Sequence, residues 1–350
     1  MRFEYTEAEK KVLHGMVKYP TLNDRELSEA IGVKPSTTTA IRRRLRKAEV
    51  FSTKRIPMAN KLGYELLGIF CGKIGPAIEA SVRKTFLETV ESLPQIFYSI
   101  VSSDSLFSVG YFKNFSEYRG FADAAWEQFG ESDVIDQGMW SWAVFSFERA
   151  KMVNFFDYGP PLRYIFDIKE KVHIDKSVEK PSKVRLSRKE KIVLQGLVNF
   201  PESSDKEVAE RVGASRQAVS AMRKRFEKTG VMKTLRVVDL GKVGYSIIAL
   251  AHNQFTPPAT LESRWNYLLK IAEIIPQFLN VASNPESILM ACAKDYEMYH
   301  SVRNKAIKLY TEKGYLREEP MLMLFPLSDT KTIKDFDFSG FMEALVQEED

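Results

Sequence analysis

TEAEKKVLHGMVKYPTLNDRELSEAIGVKPSTTTAIRRRLRKAEV, residues 6–50, and SRKEKIVLQGLVNFPESSDKEVAERVGASRQAVSAMRKRFEKTGV, residues 187–231, superimpose without a gap when the chain is shifted by 181 positions. Roughly a third of the positions are identical, including Pro20/Pro201, Asp24/Asp205, Glu26/Glu207, Gly32/Gly213 and Arg42/Arg223. The match continues through Lys61/Lys242 and Gly63-Tyr64/Gly244-Tyr245. Chance does not produce such a window, so the chain is an internal duplication. At 350 residues it also exceeds what one hydrophobic core serves, and two or more domains are expected.

Three short helices open each copy. Thr6-x-x-Glu9 and Ser187-x-x-Glu190 are capping boxes, and Asn23-x-x-Glu26 and Ser204-x-x-Glu207 repeat the device for the second helix. Pro20 and Pro201 separate the first two helices, and Gly32 and Gly213 suit the left-handed turn that ends the second. Pro35 fits the first turn of the third helix and Ser215 its cap. Ile41, Leu45 and Val50, or Met222, Phe226 and Val231, can face the core.

The third helix carries the polar chemistry. Its start offers Ser36, Thr37, Thr38 and Thr39 in one copy and Ser215, Arg216, Gln217 and Ser220 in the other, side chains of the kind that read base edges. Arg42, Arg43, Arg44, Arg46 and Lys47, or Arg223, Lys224, Arg225 and Lys228, follow as phosphate contacts. Charge distribution supports this. Residues 1–56 carry +6 and residues 181–237 carry +8 within a chain of net +5, which leaves −9 for the remainder. Basic charge confined to two short segments is the footprint of a polyanion binder.

Beyond each Gly-Tyr pair the periodicity changes. A strand (LLGIF or SIIALA) precedes a helix with apolar residues at 78, 82, 86, 90 and 93 in the first copy, and LESRWNYLLKIAEII in the second. Two strands, a second helix and a last strand follow, giving β-α-β-β-α-β, the ferredoxin-like split βαβ. The fold class is therefore α+β: two repeats, each a (winged) helix-turn-helix plus a ferredoxin-like domain. The divisions expected are a helix-turn-helix over 1–56, a ferredoxin-like domain over 57–150, a connector over 151–185, a second helix-turn-helix over 186–237 and a second ferredoxin-like domain with a C-terminal tail over 238–350. In the connector, FFDYGPPLRYIFDI is too aromatic to be free and should pack on a domain, whereas KEKVHIDKSVEKPSK reads as solvated linker.

Composition excludes several classes. The apolar fraction of 44% and 23 Phe supply real cores. No apolar run approaches the roughly 18 residues of a membrane span, and MRFEYTEAEKK is not a signal peptide, so a soluble cytoplasmic protein without membrane contact is expected. Cys71 and Cys292 lie in apolar runs as small hydrophobes. There is no Gly-rich phosphate loop, HExxH or CxxC, and no metal or cofactor is expected. Trp140 and Trp142 alternate onto one sheet face, where a core or interface role outweighs a ligand pocket.

A helix-turn-helix joined to a ferredoxin-like domain resembles the Lrp/AsnC family of regulators. The resemblance is best in SDKEVAERVGASRQAVSAMRKRFEKTGVMKTLRVVDLGKVGY, and family members normally hold one copy per chain. It implies a transcription regulator rather than an enzyme, acting on double-stranded DNA through Ser36, Thr37, Thr39, Arg42, Arg43, Arg46, Lys47, Ser215, Arg216, Gln217, Ser220, Arg223 and Lys224. It also implies an internal pseudo-dimer that pairs into a homodimer, and often an amino-acid effector beside the loop between the second and third strands. Ser102–Ser105 and Ser283–Ser287 stand there in place of the family's Gly- and Asp-containing motif, so an effector is not identified. Two alternatives remain. One is a tandem enzyme resembling the sirohaem decarboxylases, which would need His or similar groups in the ferredoxin-like cleft; His14, His173, His252 and His300 do not recur between copies. The other is a protein-binding scaffold, which acidic third helices would favour.

Overall fold

The computed structural model describes residues 4–75, 78–130, 134–170 and 183–348. Most of the charged connector stretch, His173 included, lies outside the described residues.

Helices α1 (Glu7–Lys18), α2 (Asp24–Ile31) and α3 (Pro35–Lys47) open the first repeat. All four capping boxes form, at Thr6, Asn23, Ser187 and Ser204. Gly32 and Gly213 close their helices at φ 67° and 68°, a conformation without steric cost only for glycine. Strand β1 (Phe51–Pro57) leads into β2 (Leu66–Ile74), α4 (Ala80–Ser92), β3 (Ile96–Val101), β4 (Ser105–Phe112), α5 (Phe115–Phe129) and β5 (Ile135–Ser146). An arm follows, β6 (Lys151–Phe155) and α6 (Gly159–Ile165). The second repeat has the same order: α7 (Arg188–Asn199), α8 (Asp205–Val212), α9 (Arg216–Thr229), β7 (Met232–Val238), β8 (Ile247–Gln254), α10 (Trp265–Ile274), β9 (Gln277–Ala282), β10 (Glu286–Ala293), α11 (Tyr296–Thr311), β11 (Met321–Pro326), β12 (Lys331–Asp335) and α12 (Ser339–Gln347).

The core of each sheet is the expected ferredoxin-like arrangement, β3-β4-β2-β5 and β9-β10-β8-β11, but each carries a fifth strand. That strand comes from the other repeat's arm: β6 pairs antiparallel with β9, and β12 with β3. The reason lies in β3 and β9, whose residues are all buried. Such strands cannot serve as open sheet edges, and an added strand satisfies their outward N–H and C=O groups. Each arm turns through a phenylalanine with positive φ, Phe156 at 51° and Phe336 at 54°. An aspartate then starts the helix: Asp157 accepts from the Gly159 N–H and Asp337 from the Ser339 N–H, both at 2.9 Å. Tyr158 stacks on Phe278 at 5.3 Å, and Phe338 on Phe97 at 4.7 Å. The aromatic part of the connector thus packs on a sheet, the sheet of the second repeat.

Compactness consequently does not follow the repeats. One unit comprises Met1–Thr53, Ala150–Ser177 and Leu235–Ser328; the other comprises Lys54–Arg149, Val178–Thr234 and Asp329–Asp350. The chain changes unit inside β1 and again inside β7. In the first unit the Asp239 N–H donates to the Val50 carbonyl at 2.9 Å; in the second, the Met58 N–H donates to the Val231 carbonyl at 2.8 Å. Among the described residues no helix is long and apolar enough to cross a membrane. Cys71 and Cys292 are buried, as their apolar runs predict.

Candidate functional site

The third helices form where the sequence places them, and four of their arginines pair with acids of the same three-helix units. In the first repeat Arg42 pairs with Asp24 of α2, Thr39 donates to the same carboxylate at 2.8 Å, and Arg44 pairs with Glu9 of α1. In the second, Arg223 donates twice to Asp205, at 2.8 and 3.0 Å, and lies 3.5 Å from Glu227, while Arg225 pairs with Glu190. Burial raises the Asp205 carboxyl, but the hydrogen bonds and charge of Arg223 outweigh it and hold the group below its ordinary range. Ser36, Thr39, Arg43, Arg46, Lys47, Ser215, Arg216, Gln217 and Lys224 are exposed, and Thr37 and Ser220 half-buried. Ser215 caps α9 by accepting from the Ala218 N–H at 3.1 Å. The co-duplicated acids Glu9/Glu190 and Asp24/Asp205 are the signal that the reading of basic helices passed over.

The loops that the resemblance associates with effectors are held by an arginine present in both copies. Arg83 of α4 donates to the carbonyls of Ser102 (2.7 Å) and Ser103 (2.8 Å). Its counterpart Arg264 is fully buried, donates to the carbonyls of Ala259 (2.8 Å) and Asn284 (3.1 Å), and lies 3.4 Å from the Phe255 ring centroid. Burial lowers its pKa to about 10.

A cavity lies between sheet and helices in each unit. The first unit's cavity, about 80 Å³, has a floor of small residues such as Ala249, Ala251 and Ala291, with Asn253, Asn280 and Ser287 as polar points. Helix α11 adds Tyr299, Arg303 and Tyr310 to its wall. Arg303 donates to the exposed Glu319 carboxylate at 2.6 Å. Burial raises the pKa of Tyr299 and of Tyr310, keeping both phenols protonated.

The second unit's cavity is larger, about 270 Å³, and its walls include Phe70, Phe86, Phe121, Phe129, Trp140 and Trp142. Trp140 and Trp142 share a sheet face as their spacing predicts, and both line this cavity. The cavities are equivalent by register: Phe70 stands opposite Ser108 and Trp142, and Ala251 stands opposite Leu289 and Leu322. No described histidine lines either cavity. His14 is buried in α1, where desolvation lowers its pKa although Glu170 lies 3.6 Å away. His252 is bonded to Glu286 at 2.7 Å, and His300 stacks on Tyr296 on the exposed side of α11. Among the described residues no group of three or more His, Cys, Asp or Glu is placed to hold a metal.

No family model and no curated protein matches the chain. Among solved structures, the siroheme decarboxylase NirDL resembles it over 97% of this chain and 98% of its own, with TM-score 0.55 and 14% identity. The same enzyme in complex with an iron-uroporphyrin III analogue gives TM-score 0.55 and 13% identity over 97% and 99%. The AsnC regulator of E. coli covers 41% of this chain and 93% of its own, with TM-score 0.31 and 17% identity. The full-length likeness shows a common fold that includes both repeats. It also corrects the reading as a DNA-binding regulator without enzymatic activity, because the solved structure sharing the whole tandem architecture is an enzyme. The pairing of Arg42 and Arg223 gives those two arginines a place in the packing of the three-helix units.

Proposed function

We propose that this chain is a tandem-repeat enzyme acting on a tetrapyrrole that bears carboxylate side chains, removing carboxyl groups as CO2. The observation that carries this reading is the full-length likeness to siroheme decarboxylase, which spans both helix-turn-helix units, both ferredoxin-like domains and both arms.

The first unit's cavity supplies the chemistry. Removing CO2 from a carboxymethyl arm breaks a C–C bond, leaves the electron pair on carbon and requires a proton there. Arg303 is the group to pair with the carboxylate, since guanidinium matches it bidentately. Tyr299, kept protonated by burial, is the group to deliver the proton. A volume of about 80 Å³ admits one carboxymethyl arm rather than a macrocycle, so the ring rests across the mouth and Glu319 yields Arg303 to the arm.

The test is incubation of the full chain with sirohaem under reducing, anaerobic conditions. Binding is followed by the shift of the tetrapyrrole absorption band and turnover by mass spectrometry of the extracted pigment. Loss of the mass of CO2 from the pigment supports the reading; no band shift and no mass change overturn it.

A further inference from the structure

The two cavities are equivalent in the fold and opposite in polarity. The first unit's cavity is lined by one cation, Arg303, and no carboxylate. Among the described residues the second unit's cavity is lined by one carboxylate, Glu117, and no Lys, Arg or His. At the position of Glu117 the second repeat has Met298; at those of Phe70, Phe121 and Trp142 it has Ala251, Val302 and Leu322. Duplication kept the space and exchanged its chemistry. A chamber with an acid and no base repels carboxylates, so it is not a second copy of the site proposed above.

We propose that the second unit's cavity is a binding site for a small organic cation of the alkylammonium class. Three features support this. The aromatic lining comes from two core clusters, Phe86 and Phe129 with Trp140 in one and Phe70 with Phe121 and Trp142 in the other, joined by Trp140 and Trp142 with ring centroids 6.4 Å apart. Members of both clusters line the cavity. Its wall is therefore aromatic on two sides, and π faces attract ammonium groups, most strongly where water is excluded. Glu117 is half-buried and fixed in place, with its oxygens accepting from Gln95 Nε2 at 3.3 Å and the Lys113 N–H at 2.6 Å. Finally, about 270 Å³ holds a trimethylammonium-sized group with its polar substituent and excludes a macrocycle.

Calorimetric titration of the full chain with choline, and separately with 3,3-dimethylbutanol, its uncharged isostere, tests the proposal. Choline is expected to bind at least tenfold more tightly than the isostere. Glu117→Gln, checked for an unchanged melting curve, is expected to weaken choline at least fivefold and leave the isostere unaffected, and Trp142→Leu, checked likewise, to weaken choline more than the isostere. If the isostere binds as well as choline, the cavity is merely apolar and the proposal fails. If neither binds to the wild-type chain, it fails as well. Neither outcome bears on sirohaem turnover, which is read from the other unit.

Discussion

Replacing Arg223 with Met separates a structural from a DNA-contacting role for the basic helices. The Arg223 and Asp205 side chains retain 23% and 17% of their exposure, so the pair is neither a surface ion pair nor a fully buried one. Exposed pairs contribute up to about 1 kcal/mol, and breaking a buried pair costs about 3–5 kcal/mol because the remaining charge is stranded. Arg223→Met should therefore destabilise its unit by about 2 kcal/mol. For a unit of this size that lowers the corresponding melting step by about 4–8 °C. The effect carries a pH signature. The folded Asp205 carboxyl titrates below its ordinary value, so the stability it contributes is fully present above the unfolded value, about 4. It is lost as pH falls through the lower folded value. Calorimetric scans of wild type and variant from pH 7 down to pH 3 should show a gap at neutral pH that narrows below about pH 4. Equal melting at pH 7 would refute the argument, since an arginine reserved for phosphate has no such role in the free protein.

Three further outcomes are expected. Gly196→Ala should cost about 1–3 kcal/mol by chemical denaturation, because a Cβ there would lie 2.5 Å from Val212 Cγ1, and Val212→Ala in the same chain should recover part of it. Phe338→Ala should remove about 3–5 kcal/mol from the second unit alone, leaving hydrogen exchange of the first unit's strands unchanged, because a fully packed ring on Phe97 is lost. Arg303→Leu should weaken binding of a carboxylate-bearing tetrapyrrole by at least tenfold by absorption titration, and Glu319→Gln, which releases the guanidinium from its 2.6 Å partner, should strengthen it.

Local signals were legible to the extent that their physics is local. Capping boxes at Thr6, Asn23, Ser187 and Ser204, the left-handed glycines and the period change after each Gly-Tyr pair all depend on residues a few positions apart. The exchange of arms is not local. Strand β6 is as compatible in sequence with β3 as with β9, and only the three-dimensional path of the connector decides between them. The cavities were illegible for a related reason. Trp140 and Trp142 announce one sheet face but not whether helices α4 and α5 close down on it, and Arg303 reads as one more charge on an amphipathic helix.

The duplication allows the two copies to be compared position by position. Several residues identical in both copies serve the shared fold. Gly15 and Gly196 admit a neighbouring helix, with Ile31 and Val212 where a Cβ would stand. Arg42 and Arg223 hold Asp24 and Asp205, and Arg83 and Arg264 hold the strand-connecting loops. The two proposed sites draw on positions where the copies disagree: Glu117 against Met298, Phe70 against Ala251, Trp142 against Leu322, Ala122 against Arg303. In a chain whose two halves share one fold, divergent residues at equivalent cavities are where function is to be sought, because stability alone gave them no reason to part.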